Sequence, residues 1–322
     1  MQKHYLKQIE TTQQSNTVEA VYGEMEQLFN QHHRLLVLMD ETLVPNAFDD
    51  LKQNLNSDNI IYLPLALGNN YKDTCLFFIE INHLNVFKSI GQELAEHIVS
   101  NFKVENDQYL VHGFGTTDLS NNELNKRFKK SLVIDDIESK ILFRWYDPRV
   151  MIYLDAIFNE SYMNSLLGMF SSWRFVHPTG HFHWEKTLEK KWTSYSIRKI
   201  NPQQSLALDL VEIANLVFRK SNELEQIDQN TVKPKLILNN LYQAHEQYQI
   251  TGYADLVAYG LYAEILGHHF MKHPYVESVL KQCWKTEPEN YNFTEAMDFI
   301  AEEYWTSLKN DLNLFTDHHH GK

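Results

Sequence analysis

Several short stretches of this chain carry residue types at spacings that could do chemistry. His177-Pro-Thr-Gly-His181-Phe-His183-Trp184 holds three imidazoles close together. On a strand, His181 and His183 project to one face, as two ligands of a single metal must, and His177 is a conceivable third. Such a set would activate water in a metal-dependent hydrolase. The competing reading is an aromatic-rich turn whose histidines are hydrogen-bonded or solvated. His268-His269-Phe-Met-Lys-His273 has helical i, i+4 spacing between His269 and His273. Pro274 follows at once, so this is read as a helix end, where histidine meets exposed carbonyls. Gly113-Phe-Gly115-Thr-Thr117 begins like a phosphate loop, which would suit a nucleotide-binding enzyme. It lacks the third glycine and the lysine, so a strand ending in a permissive turn is the preferred reading. No Gly-x-Ser-x-Gly elbow, His-Glu-x-x-His pair or kinase signature is present. Neither Cys75 nor Cys283 sits in a context that marks a nucleophile.

Phe143-Arg-Trp-Tyr-Asp-Pro-Arg149 combines an arginine on a strand end, an Asp-Pro helix start and a second arginine in the first helical turn. Asp147 is a natural N-cap and Pro148 suits the first helical position. A cation there opposes the helix dipole, so Arg149 must have a compensating task. Either it binds a carboxylate or carbonyl cluster of a partner, or it clamps the strand-to-helix turn from inside. The internal clamp is the preferred reading. A basic run, Lys186, Lys190, Lys191, Arg198 and Lys199, is interleaved with Trp184 and Trp192 and reads as a solvated face or a dock for acidic surface.

The elements that must position these residues follow from apolar periodicity. Val18, Val21, Tyr22, Met25, Leu28 and Phe29 make a helical stripe, with Asn16 and Glu19 spaced as a capping pair. Residues 34–40, 60–65, 75–81 and 109–115 are short apolar runs that read as strands. A helical stretch opens at Pro45, and further helices cover 84–102 and 121–130. Leu132-Val-Ile134 and Ile141-Leu-Phe-Arg-Trp-Tyr146 are strand-like and antiparallel to each other, which gives a mixed sheet. A helix follows Pro148, and residues 169–199 form irregular strands or a hairpin. After Pro202 the pattern is wholly helical, ending in one stripe through Phe293, Met297, Tyr304 and Leu308. The expected fold class is therefore α/β (α+β), with a mixed sheet and flanking helices followed by an all-helical domain. The boundaries are 1–30 for an N-terminal segment with its helix, 31–199 for the α/β domain and 200–322 for the helical domain.

Composition narrows the function classes. Eleven glycines and eight prolines in 322 residues argue for long regular elements and exclude low-complexity readings. Hydrophobic residues are 43% and aromatics 13%, enough for real cores. The net charge of −13 makes nucleic acid and anionic membrane unsuitable general partners. Residues 201–322 alone carry nine basic and 17 acidic side chains. Two distant cysteines build neither a disulfide framework nor a four-cysteine zinc site, and that fits a reducing compartment. The first residues lack the apolar stretch of a signal peptide, and the longest apolar run is Leu35–Met39. A cytoplasmic protein without a stable membrane association is expected.

Leu142-Phe-Arg-Trp-Tyr-Asp-Pro-Arg-Val150 resembles the signature of the adaptor chaperones of bacterial type VI secretion, the Tap or Tec family. The surroundings are similar too. An early strand ends in Asp40, and Pro64-Leu-Ala-Leu67 stands at the family's proline-leucine stretch. Arg127 and Phe128 lie in a leucine-bearing helix before a strand, and Trp173 follows the signature helix. The resemblance covers about residues 31–176 and, more loosely, 200–310, where Ile250-Thr-Gly-Tyr-Ala-Asp-Leu256, Gly267 and Pro274 resemble the family's helical tail. Trp145 is an aromatic at a variable signature position, and the His-Phe-His-Trp segment belongs to no pattern of the family. The resemblance implies a non-enzymatic protein without cofactor. Such a protein binds a secreted toxic effector and loads it onto the VgrG spike. It also implies that Arg144, Tyr146, Asp147, Pro148 and Arg149 form the signature site. Trp173, Phe175 and Trp184 are expected to line an aromatic groove for apolar effector segments, with Arg144 and Arg149 orienting it.

Overall fold

The computed structural model describes residues 7–9, 16–63, 75–105, 108–136, 139–186, 199–225, 227, 232–283 and 292–317. Residues 64–67, 190–192 and 198, which the sequence singles out, lie outside the described residues. The chain divides into two compact units, Met1–Ser205 and Leu206–Lys322.

The first unit is a sheet with helices on both faces. Its strands are β1 (Lys7–Ile9), β2 (Leu35–Asp40), β3 (Ile60–Tyr62), β4 (Leu76–Ile81), β5 (Val111–Thr116), β8 (Ser172–His177) and β9 (Gly180–Glu185), in the spatial order β1-β9-β8-β5-β2-β4-β3. A separate two-stranded ribbon pairs β6 (Val133–Asp135) with β7 (Lys140–Leu142). The helices are α1 (Val18–His32), α2 (Asp49–Gln53), α3 (Leu84–Ser100), α4 (Asn121–Ser131), α5 (Pro148–Ile157) and α6 (Glu160–Leu167). The α/β class holds, with the sheet first and the helical region after it.

Among the described residues every ladder is antiparallel, which corrects the mixed strand directions expected. The reason lies in an insertion. Helix α3 does join two strands of like direction, β4 and β5, but β2 lies between them and runs opposite to both. A parallel relation survives only in an isolated bridge, Asp135 to Lys199.

Strands β2, β4, β5 and most of β8 are buried on both faces, which explains their near-continuous apolar runs. On one face Leu35, Val37, Met39, Phe77, Ile79 and Ile81 pack against Met25, Leu28 and Phe29 of α1 and Phe87, Ile90 and Leu94 of α3. Helix α1 is capped by Thr17, whose hydroxyl accepts from Ala20 N at 3.2 Å, rather than by Asn16. On the other face Phe78 meets Phe128 of α4, Phe170 and Trp173. The helical stretch expected from Pro45 is a turn followed by the short α2.

Two glycines of β5 are required by close approach. A Cβ on Gly113 would lie 2.6 Å from the Arg174 carbonyl oxygen and 2.8 Å from the Trp173 ring. One on Gly115 would run into the Ser172 carbonyl and the same indole. The Gly-Phe-Gly spacing is thus a bed for Trp173 rather than a phosphate cradle.

In the second unit, α7 (Pro202–Glu223) enters from the first, followed by α8 (Pro234–Tyr248), α9 (Tyr253–Leu266), α10 (Pro274–Cys283), α11 (Phe293–Asp298) and α12 (Glu302–Asp317). Gly260 of α9 sits against Val217 of α7 and Leu241 of α8, and a Cβ there would lie 2.7 Å from Val217. Tyr259, Phe270 and Phe293 cluster with one another, at centroid distances of 5.2, 5.6 and 6.3 Å. The last expected helix is two: the chain breaks at 299–301 while Phe293, Met297, Ile300, Tyr304 and Leu308 stay in helical phase, so periodicity alone does not reveal the break.

Gly115→Ala should lower stability by about 1–3 kcal/mol, as overpacking against backbone does. A fall in the urea midpoint at unchanged slope checks it.

Candidate functional site

Residues 142–150 build a compact charged knot. Strand β7 ends at Leu142, so Phe143 to Tyr146 form a turn rather than the expected strand continuation, closed by Asp147 N donating to Arg144 O at 3.1 Å. Asp147 caps α5, its Oδ1 accepting from Arg149 N at 3.0 Å, and Pro148 takes the first helical position. The Arg149 guanidinium then turns back on that carboxylate in a fork, Nε to Oδ1 at 3.0 Å and Nη2 to Oδ2 at 2.7 Å. Its plane also lies over the Tyr109 ring, 5.0 Å from the centroid. Thus the cation in the first helical turn is matched by a carboxylate two residues away, and the internal clamp is what the geometry displays.

A second pair links the knot to the sheet. Arg144 Nη2 donates to Asp40 Oδ2 at 2.9 Å and lies 3.8 Å from Asp147 Oδ2. Asp40 ends β2, and its Oδ2 also meets His112 Nε2 of β5 at 3.1 Å while Oδ1 accepts from Thr42 N at 2.8 Å. Tyr146 packs edge-on to the His112 ring at 5.0 Å. Trp145 is buried, and its Nε1 donates to Ser131 Oγ at 2.9 Å, which anchors the turn to α4.

Electrostatics follow from this order. Burial would raise the Asp40 carboxyl, but the hydrogen bonds and charge from His112 and Thr42 N–H outweigh it and hold it well below the ordinary carboxylate range. Burial also opposes ionisation of Asp147, and the Arg149 fork, with His112 and Arg144, outweighs it in the same direction. Burial first, then the two carboxylates, push the Tyr146 phenol upward. The side chains of Arg144 and Arg149 are 31% and 29% exposed, so their outer edges reach the surface while their charges are matched inside.

The imidazole triplet is divided by the hairpin. Cross-strand pairing puts His181 opposite Val176 and His183 opposite Arg174 on one face of the sheet, and His177 on the other with Phe175 and Trp173. His181 lies 3.7 Å from Glu24 and packs on Phe102 at 4.7 Å. His177 Nδ1 accepts from Thr179 N at 3.2 Å within the turn. One metal cannot take all three. Among the described residues no group of three or more His, Cys, Asp or Glu is placed to hold a metal ion. In the second histidine cluster, His268 pairs with Asn240 of α8 at 2.9 Å, and His273 Nδ1 accepts from Tyr275 N at the start of α10.

The aromatic groove is corrected. Trp173, Phe175 and Trp184 are 0%, 1% and 5% exposed, and Trp173 packs tilted against Phe170 at 4.4 Å while Phe175 stacks on Phe182 at 5.2 Å. They fill the core behind the hairpin because a sheet covered on both faces turns both sets of alternating side chains inward. Sequence reasoning missed His112 and gave Asp40 no role. The available signal was a histidine inside a strand that is otherwise apolar and an acid closing a fully apolar run. It also missed a second bracket, in which Arg34 donates to Glu80 at 2.6 Å, to the Leu119 carbonyl at 2.5 Å and to Asn121 Oδ1 at 2.5 Å. Comparison with family models, with curated proteins and with solved structures finds no match.

Arg149→Ala should cost about 3 kcal/mol of stability, the low end for breaking a buried pair because the guanidinium is partly exposed. An unfolding free energy from urea titration within about 0.5 kcal/mol of wild type would place the pair among weak surface bridges instead. A second prediction concerns acid. Burial pushes His177 down to about 3 from 6.5, with Asp147 opposing. Between those values the unfolded chain binds a proton that the folded one does not, so stability falls with pH at up to about 1.4 kcal/mol per unit. Asp40 and Asp147 add stability present above the unfolded carboxylate range and lost only at lower pH, as it falls through their folded values. His177→Asn, which can still accept from Thr179 N, should flatten the decline between about pH 6.5 and 4.5 and leave the loss below about pH 4. Urea titrations across that range check it.

Proposed function

We propose that this chain is a non-catalytic adaptor chaperone of type VI secretion, which binds a secreted toxic effector in the cytoplasm and loads it onto the VgrG spike. The observation that carries the reading is the behaviour of the signature stretch. Arg144, Tyr146, Asp147, Pro148 and Arg149 come together as one knot whose positive groups rest on buried carboxylates, an arrangement that holds a scaffold in shape. The aromatics are committed to packing, so a client would meet surfaces other than the hairpin core. No helix among the described residues is long and apolar enough to cross a membrane, which suits a carrier that shields apolar effector segments without inserting itself. The acidic balance, −13 overall, suits polypeptide clients better than nucleic acid. No cofactor enters this role, and handover to the spike requires binding that is reversible.

The test is to look for a toxin gene beside the gene for this chain, which the proposal expects, and to co-express its product with this chain. A complex that survives size exclusion and passes the toxin to the VgrG spike is expected. A folded protein that forms no complex with that toxin would overturn the proposal.

A further inference from the structure

We propose that the second unit carries a pH-sensitive latch: Glu264 of α9 must be a neutral carboxylic acid for the helices to close around it, and its ionisation loosens α9 from its neighbours. Helix α9 packs against α8, α11 and α12, and it meets α7 at Gly260. Its buried stripe is Leu256, Tyr259, Gly260, Ala263 and Leu266, and Glu264 stands beside that stripe, one turn beyond Gly260. The fit at that turn is close, since a Cβ on Gly260 would lie 2.7 Å from Val217 of α7 and 3.4 Å from Leu241 of α8. Glu264 Oε1 is closed off from solvent and has no hydrogen-bond partner, whereas Oε2 is not closed off. A proton can therefore reach the carboxyl while its inner oxygen stays dry.

A carboxylate oxygen without water or a partner is costly, and a nearby cation, a hydrogen-bond donor or a bound proton relieves it. The groups around Glu264 supply neither of the first two. His268, the next ionisable residue along the chain, pairs with Asn240 of α8 at 2.9 Å. Lys233 and His269 act on His268, Asp298 of α11 acts on the Tyr262 phenol, and Tyr248 of α8 acts on Tyr259, but none of them acts on Glu264. Burial alone lifts the Glu264 carboxyl from the ordinary 4.5 to about 7. The closed form thus keeps a proton that the opened form releases. Its contribution to closure is fully present below about pH 4.5 and is lost as pH rises through about 7. This trend is opposite in sign to that of His177 in the first unit, so the readout must be local to α9.

The test is hydrogen–deuterium exchange of the full chain at about pH 5 and about pH 7, with rates corrected for the intrinsic pH dependence of amide exchange. In wild type, protection of the α9 amides is expected to fall about tenfold or more between the two. Glu264→Gln keeps the shape and stays neutral, so its α9 protection is expected to hold within about threefold over the same range. Glu264→Leu, which also cannot ionise, takes its place should the Gln form not fold. Wild-type protection of α9 that is the same at both pH values overturns the inference. A fall that persists in the Gln or Leu form belongs to another group, such as His268 or His269, and overturns it equally. The latch does not rest on the adaptor reading, and toxin capture has no part in the test.

Discussion

A carboxylate buried at the start of a helix is the constraint on which the first unit turns. Asp147 cannot be withdrawn from water unless its charge is answered on several sides. The structure answers it with the Arg149 amide, the Arg149 fork and the nearby Arg144. Arg144 in turn needs a partner of its own, and Asp40 supplies it while also holding His112. The result is an alternating series, His112, Asp40, Arg144, Asp147 and Arg149, with each carboxylate lying between basic groups. Because Asp40 ends a central strand and Asp147 begins α5, the series ties the helical layer to the middle of the sheet. Charge, not apolar area alone, sets where that layer sits.

The same arrangement shapes what the protein can do. Side chains whose charges are matched and whose geometry is locked are suited to holding form. Central strands buried on both faces add a second consequence: those surfaces are already occupied by the unit's own helices and aromatic side chains.

The signature turn was legible where local chemistry decides. Asp147 and Pro148 read as a helix start because cap and first-turn preferences act within a few residues, and Arg149 against the dipole demanded a nearby anion. The helical stripes of α1 and α3 and the β8–β9 hairpin were legible for similar reasons. What escaped depends on distant residues. Nothing near His112 announces Asp40, which lies 72 positions away, and nothing near Gly113 announces Trp173. The insertion of β2 between β4 and β5 is likewise a matter of topology, so strands that alternate with helices suggested parallel neighbours that the chain does not make. The histidine triplet shows the opposite failure: spacing brought His177 and His181 together in sequence, and the two-residue turn sent them to opposite faces.

The charged series itself can be measured most directly by a double-mutant cycle on Asp40→Asn and Arg144→Met, with stability read from urea unfolding at neutral pH and low salt. If these two side chains join the sheet to the signature turn, their losses are strongly non-additive, with a coupling of about 1.5–3 kcal/mol. Additivity within about 0.5 kcal/mol would mean that the two groups act independently, and the helical layer would then be held by packing alone.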